Sequence, residues 1–249
     1  MPAGARDAWA DSGDSGVETF QSGTEMAALL RRVAARYENA GRYGRTYVAM
    51  KLRQDPVHAD IISLAARENL GDVVDIGCGR GQLAVALLEA GVAKSVVGLD
   101  WNASHLSQGQ DAAAGLAFKT MLQDASSAQQ IPDCDTVIMV DVLYQLRTEA
   151  QFALLRAAAR AARERILIRT ADPERGARSA FTRCLEILGQ RILPNSGAHV
   201  NALRIATIGE KLAAEKFALA VAPCWRGTPF ANVLLVARRQ PAPDQPPAC

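Results

Sequence analysis

The sequence predicts an α/β protein: a doubly wound, mainly parallel sheet of seven strands with an antiparallel hairpin at one edge. Three observations carry this. Short apolar runs alternate with helical patterns between residues 73 and 168, as in successive βαβ units. A glycine-rich turn, GCGRG at 77–81, joins the first apolar run to a helix. Two further runs, 217–221 and 232–237, are separated only by the loop APCWRGTPFA, so they close as an antiparallel pair.

Composition sets the outer bounds. The chain has 249 residues, 49% of them hydrophobic, enough for one sizeable core. A formal net charge of +2 argues against a dedicated nucleic-acid surface. The five cysteines are scattered, odd in number and form no CxxC, which fits neither a disulfide framework nor a zinc site and suits a reducing cytoplasm. No basic segment leads into an apolar one at the N-terminus, and no apolar run is long enough to span a bilayer. A soluble cytoplasmic protein is the expectation.

The elements follow in order. Residues 1–22 are small, polar and aperiodic, an expected mobile arm with Trp9 and Phe20 as its apolar points. Residues 23–70 read as N-terminal lid helices. Met26, Leu29, Leu30, Val33, Ala34 and Tyr37 recur at helical spacing behind Thr24 as N-cap. The stretch AGRYGRTYVAMKLRQ is read as broken by its glycines, and Asp55-Pro56 as the N-cap and first position of a helix reaching about Asn69. Residues 71–240 form the core. Its expected strands are 73–76, 95–99, 118–122, 136–140 and 166–168, then the closing pair; its helices are 82–90, 104–115, 149–163 and 207–216. Residues 241–249, rich in proline, are an expected loose tail.

The glycine turn carries the chemistry. Missing side chains at Gly77, Gly79 and Gly81 let a ligand approach the backbone at a helix N-terminus. The spacing is GxGxG, whereas dinucleotide folds use GxGxxG, which argues against a nicotinamide oxidoreductase. Asp75 stands two residues before the first glycine, where it would repel a pyrophosphate and attract a positively charged group. Asp100 ends the next strand, where a carboxylate can accept from both hydroxyls of a ribose.

Together VVDIGCGRG, VVGLD and CDTVIMVDVLYQL resemble the class I S-adenosylmethionine-dependent methyltransferases, over roughly residues 70–170. The resemblance implies S-adenosyl-L-methionine as cofactor. It places Gly77 and Gly79 against the methionine part, Asp75 near its amino group and Asp100 on the ribose. It puts Trp101 beside the adenine, Asp124 and the Ala125 N–H at the adenine edge, and Asp141 and Val142 along the cofactor at the fourth strand's end. Arg53, ahead of the glycine turn, is implied as partner of the cofactor carboxylate. Purely structural alternatives stand beside several of these: a turn residue for Asp124, a helix cap for Asp141, packing for Trp101 and a solvated cation for Arg53. Cys78 reads as a small filler and His105 as a surface residue.

The acceptor is less legible. A general base is needed only if the acceptor must lose a proton. DVLYQL at 141–146 lacks the Pro-Pro-aromatic run of amine methyltransferases and the paired glutamates of protein arginine methyltransferases; it resembles the small-molecule branch. Tyr144 and His58 are the candidate catalytic contacts, His58 reading also as an ordinary histidine on a lid helix. Tyr47, Asp172 and His199 are weaker candidates, and Arg169 could meet Asp172 or a polar substrate. KLRQDPV, DVLYQL and GTPFANVLLVARR faintly resemble methyltransferases of bacterial aryl polyene-type gene sets. That would imply an aryl hydroxyl acceptor, free or carried by an acyl carrier protein, for which the cations Arg42, Arg45, Lys51 and Arg53 offer an electrostatic surface; a solvated basic face explains these cations equally well. The alternatives are a cofactor-binding partner subunit without turnover, or methylation of a macromolecule. With no metal-ligand cluster in the sequence, the expected reaction is metal-independent.

Overall fold

The order of the strands positions the site. In the computed structural model, which describes residues 23–127, 130–174 and 201–241, seven strands form one sheet in the order β3-β2-β1-β4-β5-β7-β6. They are β1 (Asp72–Ile76), β2 (Ser95–Asp100), β3 (Phe118–Leu122), β4 (Cys134–Val140), β5 (Ala162–Ala171), β6 (Phe217–Pro223) and β7 (Asn232–Arg239). The first five pair with one another in parallel; β7 runs antiparallel to both β5 and β6. The chain leaves β1 for β2 on one side and reaches β4 on the other. The C-terminal end of β1 is therefore a topological switch point, where open α/β sheets bind their ligands.

Alternation along each strand builds a core on both faces. Val73, Val96, Ile138 and Leu167 pack on one side with α1 (Gly23–Ala35), α2 (Gly41–Gln54), α3 (Val57–Ala65) and α4 (Gln82–Glu89). Val74, Ile76, Val137, Met139 and Ile166 pack on the other with α6 (Thr148–Ala161) and α7 (Ile205–Ala214). Between β2 and β3 runs α5 (Ala103–Ala112). Burial on both faces explains why these strands read as continuous apolar runs.

Three expectations are corrected. The glycine-containing stretch 41–54 is a continuous helix. Gly44 is buried in it because α2 lies close on α5 and the glycine turn: a Cβ there would stand 2.8 Å from Gln108 Oε1 and 3.5 Å from Arg80 Nε. Its glycine serves close approach and does not break the helix. The third helix is Val57–Ala65, short of Asn69, with Pro56 and not Asp55 at the N-cap position; from one residue further out the Asp55 carboxylate accepts from Val57 N at 3.2 Å. Finally, β5 is much longer than 166–168, because charged residues such as Arg165 pair with β4 and β7 at the solvent-facing end. The arm 1–22, the tail from 242 on, and His199 lie outside the described residues.

Candidate active site

The turn after β1 is stitched to the end of β2. Gly77 N and Cys78 N both donate to Leu99 O, at 2.7 and 3.0 Å, and Gly79 N donates to Asp100 Oδ2 at 2.9 Å. The other Asp100 oxygen accepts from Asn102 N at 2.9 Å. The carboxylate is thus fixed by backbone amides, with lone pairs to spare for further donors. Gly77 and Gly79 have φ of +69° and +55°, the left-handed region where glycine is favoured. A Cβ at Gly77 would run into Val142, whereas one at Gly79 would meet nothing within 4 Å. The open space above Gly79 belongs to a cavity of about 560 Å³.

Asp75 lines this cavity and is 3% exposed. No hydrogen bond reaches its carboxylate among the described residues. Burial, with the Asp100 charge added, pushes its pKa up to about 8. A buried acid without a donor is expensive, and a cationic group in the cavity would relieve it.

Around the same cavity stand Gly77, Gly79 and Asp100 on one side, and Asp141, Val142 and Tyr144 on another. Trp101 is 72% exposed and forms rim, where a flat ligand edge can lie against it. Asp124 and Ala125 close the adjacent corner, and Asp124 Oδ1 also accepts from Ser126 N at 2.8 Å, so it is turn cap and lining residue at once. His105, read as a surface residue, is half-buried in this wall, and burial and then Arg80 lower its pKa. Cys78 lines the cavity too, but burial and the neighbouring acids push its thiol far up, so it stays protonated.

Helices α2 and α3 supply the facing wall through Tyr47, Lys51, Asp55 and His58. Tyr47 and Lys51 are four residues apart, hence on one helical face. His58 is 3% exposed, and burial lowers its pKa to about 4, so it is neutral near pH 7. Its Nδ1 lies 3.4 Å from Asp55 O, which favours a proton there and leaves Nε2 as the basic nitrogen.

Arg53 is corrected. It is exposed, does not line this cavity, and borders a separate groove between α1 and α2. The cation that α2 does present to the cavity is Lys51, two residues earlier and on the opposite face. Asp172 does not line the cavity either. Arg169, 5% exposed, pairs with Asp141 and reaches Asp55 at 3.3 Å, so its partners are two acids of the cavity wall. Burial alone would raise the Asp55 carboxyl; Arg169 and Lys51 bring it below the ordinary aspartate value. Asp141 has a φ of +60°, unusual for a side-chain-bearing residue, and Gln145 Nε2 donates to its carbonyl.

Residues 73–165 match the family described as a methyltransferase domain. Among solved structures, the chain is similar to magnesium protoporphyrin IX methyltransferase (ChlM) from Synechocystis PCC 6803 with bound SAH. That match has a TM-score of 0.59 and 24% identity, and covers 92% of this chain and 90% of that one. It is also similar to an O-methyltransferase family protein from Burkholderia thailandensis, with TM-score 0.60, 14% identity, and coverage of 87% and 67% respectively. The mitomycin 7-O-methyltransferase MmcR gives TM-score 0.59, 18% identity, and coverage of 87% and 67%. No curated protein matches the chain. Residues 73–165 thus carry a methyltransferase domain, and the sheet order with its glycine turn and two acids gives the chain the class I methyltransferase fold.

Proposed function

We propose that the enzyme methylates a hydroxyl of a small, aryl-type acceptor, free or carrier-linked. One observation carries the reading. The cavity that begins at Asp75 and Gly79 continues to a wall of Tyr47, His58 and Tyr144, so donor and acceptor ends share one space of about 560 Å³. That volume is of small-molecule size. Two aromatic rings and a neutral imidazole suit a flat acceptor with a single acidic proton. Magnesium protoporphyrin IX methyltransferase and mitomycin 7-O-methyltransferase are likewise named for small-molecule acceptors.

The residues fit S-adenosylmethionine: an acid lacking a donor at Asp75, an acceptor pair at Asp100, bare backbone at Gly79 and an aromatic rim at Trp101. When bound, the cofactor supplies an activated methyl on a positively charged sulfur. The protein's share is alignment and exclusion of water. Asp100 holds the ribose, Asp75 faces the amino group, Asp124 and Ala125 meet the adenine edge, and Lys51 is the cavity cation available to the carboxylate. On the acceptor side, His58 Nε2 receives the hydroxyl proton and Tyr144 borders the ring. A weakly basic imidazole is enough, because the oxygen becomes strongly acidic as the methyl arrives.

The test is turnover with a methyl-labelled donor against phenols, aryl acids on a carrier protein, amines, bulk nucleic acid and bulk protein. Label on a phenolic oxygen, with a rate lost in His58→Ala, is expected. Label confined to a macromolecule or to nitrogen would overturn the acceptor reading.

A further inference from the structure

The second groove has a chemistry unrelated to methyl transfer. It encloses about 610 Å³ between α1 and α2. Leu30, Ala49 and Met50 give it an apolar floor, and Met50 is 43% exposed, high for a large apolar side chain. Its charged lining residues are all arginines: Arg31 on one bank, Arg45 and Arg53 on the other, each exposed. None of the three makes an ion pair or side-chain hydrogen bond among the described residues. Elsewhere arginines are matched, as Arg36 is to Glu89, Arg163 to Asp135, and Arg238 to Glu68.

We propose that this groove docks an acidic amphipathic helix of a partner protein. An apolar stripe on such a helix would cover the floor while acids on its flanks met the two arginine banks. Arg45 and Arg53 are eight residues apart on α2, about 12 Å at 1.5 Å per residue, which acids two turns apart on a helix lying alongside would match. The concave floor favours a helix over a lipid surface. Charge complementarity supplies orientation and on-rate, the apolar floor supplies contact area. The occupant would also be felt in the active site, because α2 is the wall between groove and cavity: its other face carries Tyr47 and Lys51.

The experiment uses the full chain and a fluorescent 18-residue synthetic peptide with leucines at helical spacing and glutamates on both flanks. A second peptide has lysine for every glutamate. By anisotropy, the glutamate peptide is expected to bind about tenfold or more tighter than the lysine peptide, and to weaken with salt. Binding is expected to be lost in the combined Arg31→Glu, Arg45→Glu, Arg53→Glu variant and, separately, in Met50→Asp, with donor affinity unchanged in both. Equal binding of the two peptides, or undiminished binding by the triple variant, would overturn the proposal. So would arginine-dependent sedimentation with phosphatidylglycerol vesicles in the absence of peptide binding. Peptide binding that emerges only when residues 1–22 are deleted would assign the groove to the chain's own acidic segment, and would equally overturn it.

Discussion

Asp75 and Asp100 lie near each other on adjacent parallel strands, Asp75 level with Gly98. Their environments differ. Asp100 accepts from two backbone amides, while Asp75 is buried without a donor among the described residues and has a pKa of about 8. In the proposed pairing the donor's ammonium favours the ionised Asp75, so binding at neutral pH would release a proton. Affinity is therefore expected to rise as pH increases toward 8, then level off, and Asp75→Asn is expected to flatten the dependence. Calorimetry in buffers of different ionisation enthalpy measures the released proton directly, and finding none would disprove the pairing. With Asp100 on the ribose as proposed, Asp100→Ala would remove the acceptor for two hydroxyls and is expected to cost about 1–3 kcal/mol of donor affinity, roughly 5- to 150-fold. Both acids were legible in the sequence because strand ends and glycine spacing are local signals. Lys51 was not: choosing it over Arg53 requires knowing which face of α2 meets the cavity, and that is set by Gly44 seating the helix on α5 and the glycine turn.

At the scale of the element, α2 shows why a glycine-bearing helix escapes a local reading. Tertiary contact holds it. The Arg80 guanidinium sits 5.5 Å from the Tyr43 ring and 4.9 Å from the Tyr47 ring, and its Nε donates to Gln108 Oε1 at 2.8 Å. Arg80 belongs to the glycine turn itself, and its carbonyl accepts from the Tyr37 hydroxyl at 2.8 Å. The glycine turn is therefore clasped to the helix on the facing wall of the cavity. Arg80→Ala removes two cation–π contacts, each on the order of 1 kcal/mol. Faster amide exchange across 41–54 and a higher KM for the acceptor are expected, with the sheet's exchange unchanged. If α2 exchanged at its wild-type rate, the clasp would be incidental. Strands were legible because each is an apolar run buried on both faces. The polar end of β5 was not, since Arg163, Glu164 and Arg165 give no strand signal.

At the scale of the whole molecule, the polar contacts that tie the N-terminal helices to the sheet are unequal. Arg36 pairs with Glu89 where both side chains are partly exposed, and such a pair contributes little, under about 1 kcal/mol. Arg169 is different: a buried cation on β5, held between Asp55 at the junction of α2 and α3 and Asp141 at the end of β4. Removing it strands two acids in a place where their charges are poorly solvated, so Arg169→Ala is expected to cost about 3–5 kcal/mol in urea unfolding. Arg36→Ala is expected to fall below about 1 kcal/mol. His58, beside the same junction, adds a pH signature. Its folded pKa of about 4 lies below the ordinary value of 6.5, so the unfolded chain binds the extra proton between those limits. Stability contributed by the neutral imidazole is present above pH 6.5 and is lost as pH falls toward 4. His58→Asn is expected to remove that slope while leaving the Arg169 effect intact. Parallel urea titrations at pH 4.5 and 7 separate the two, and a wild-type slope retained in His58→Asn would place the acid sensitivity in the carboxylates of the junction instead.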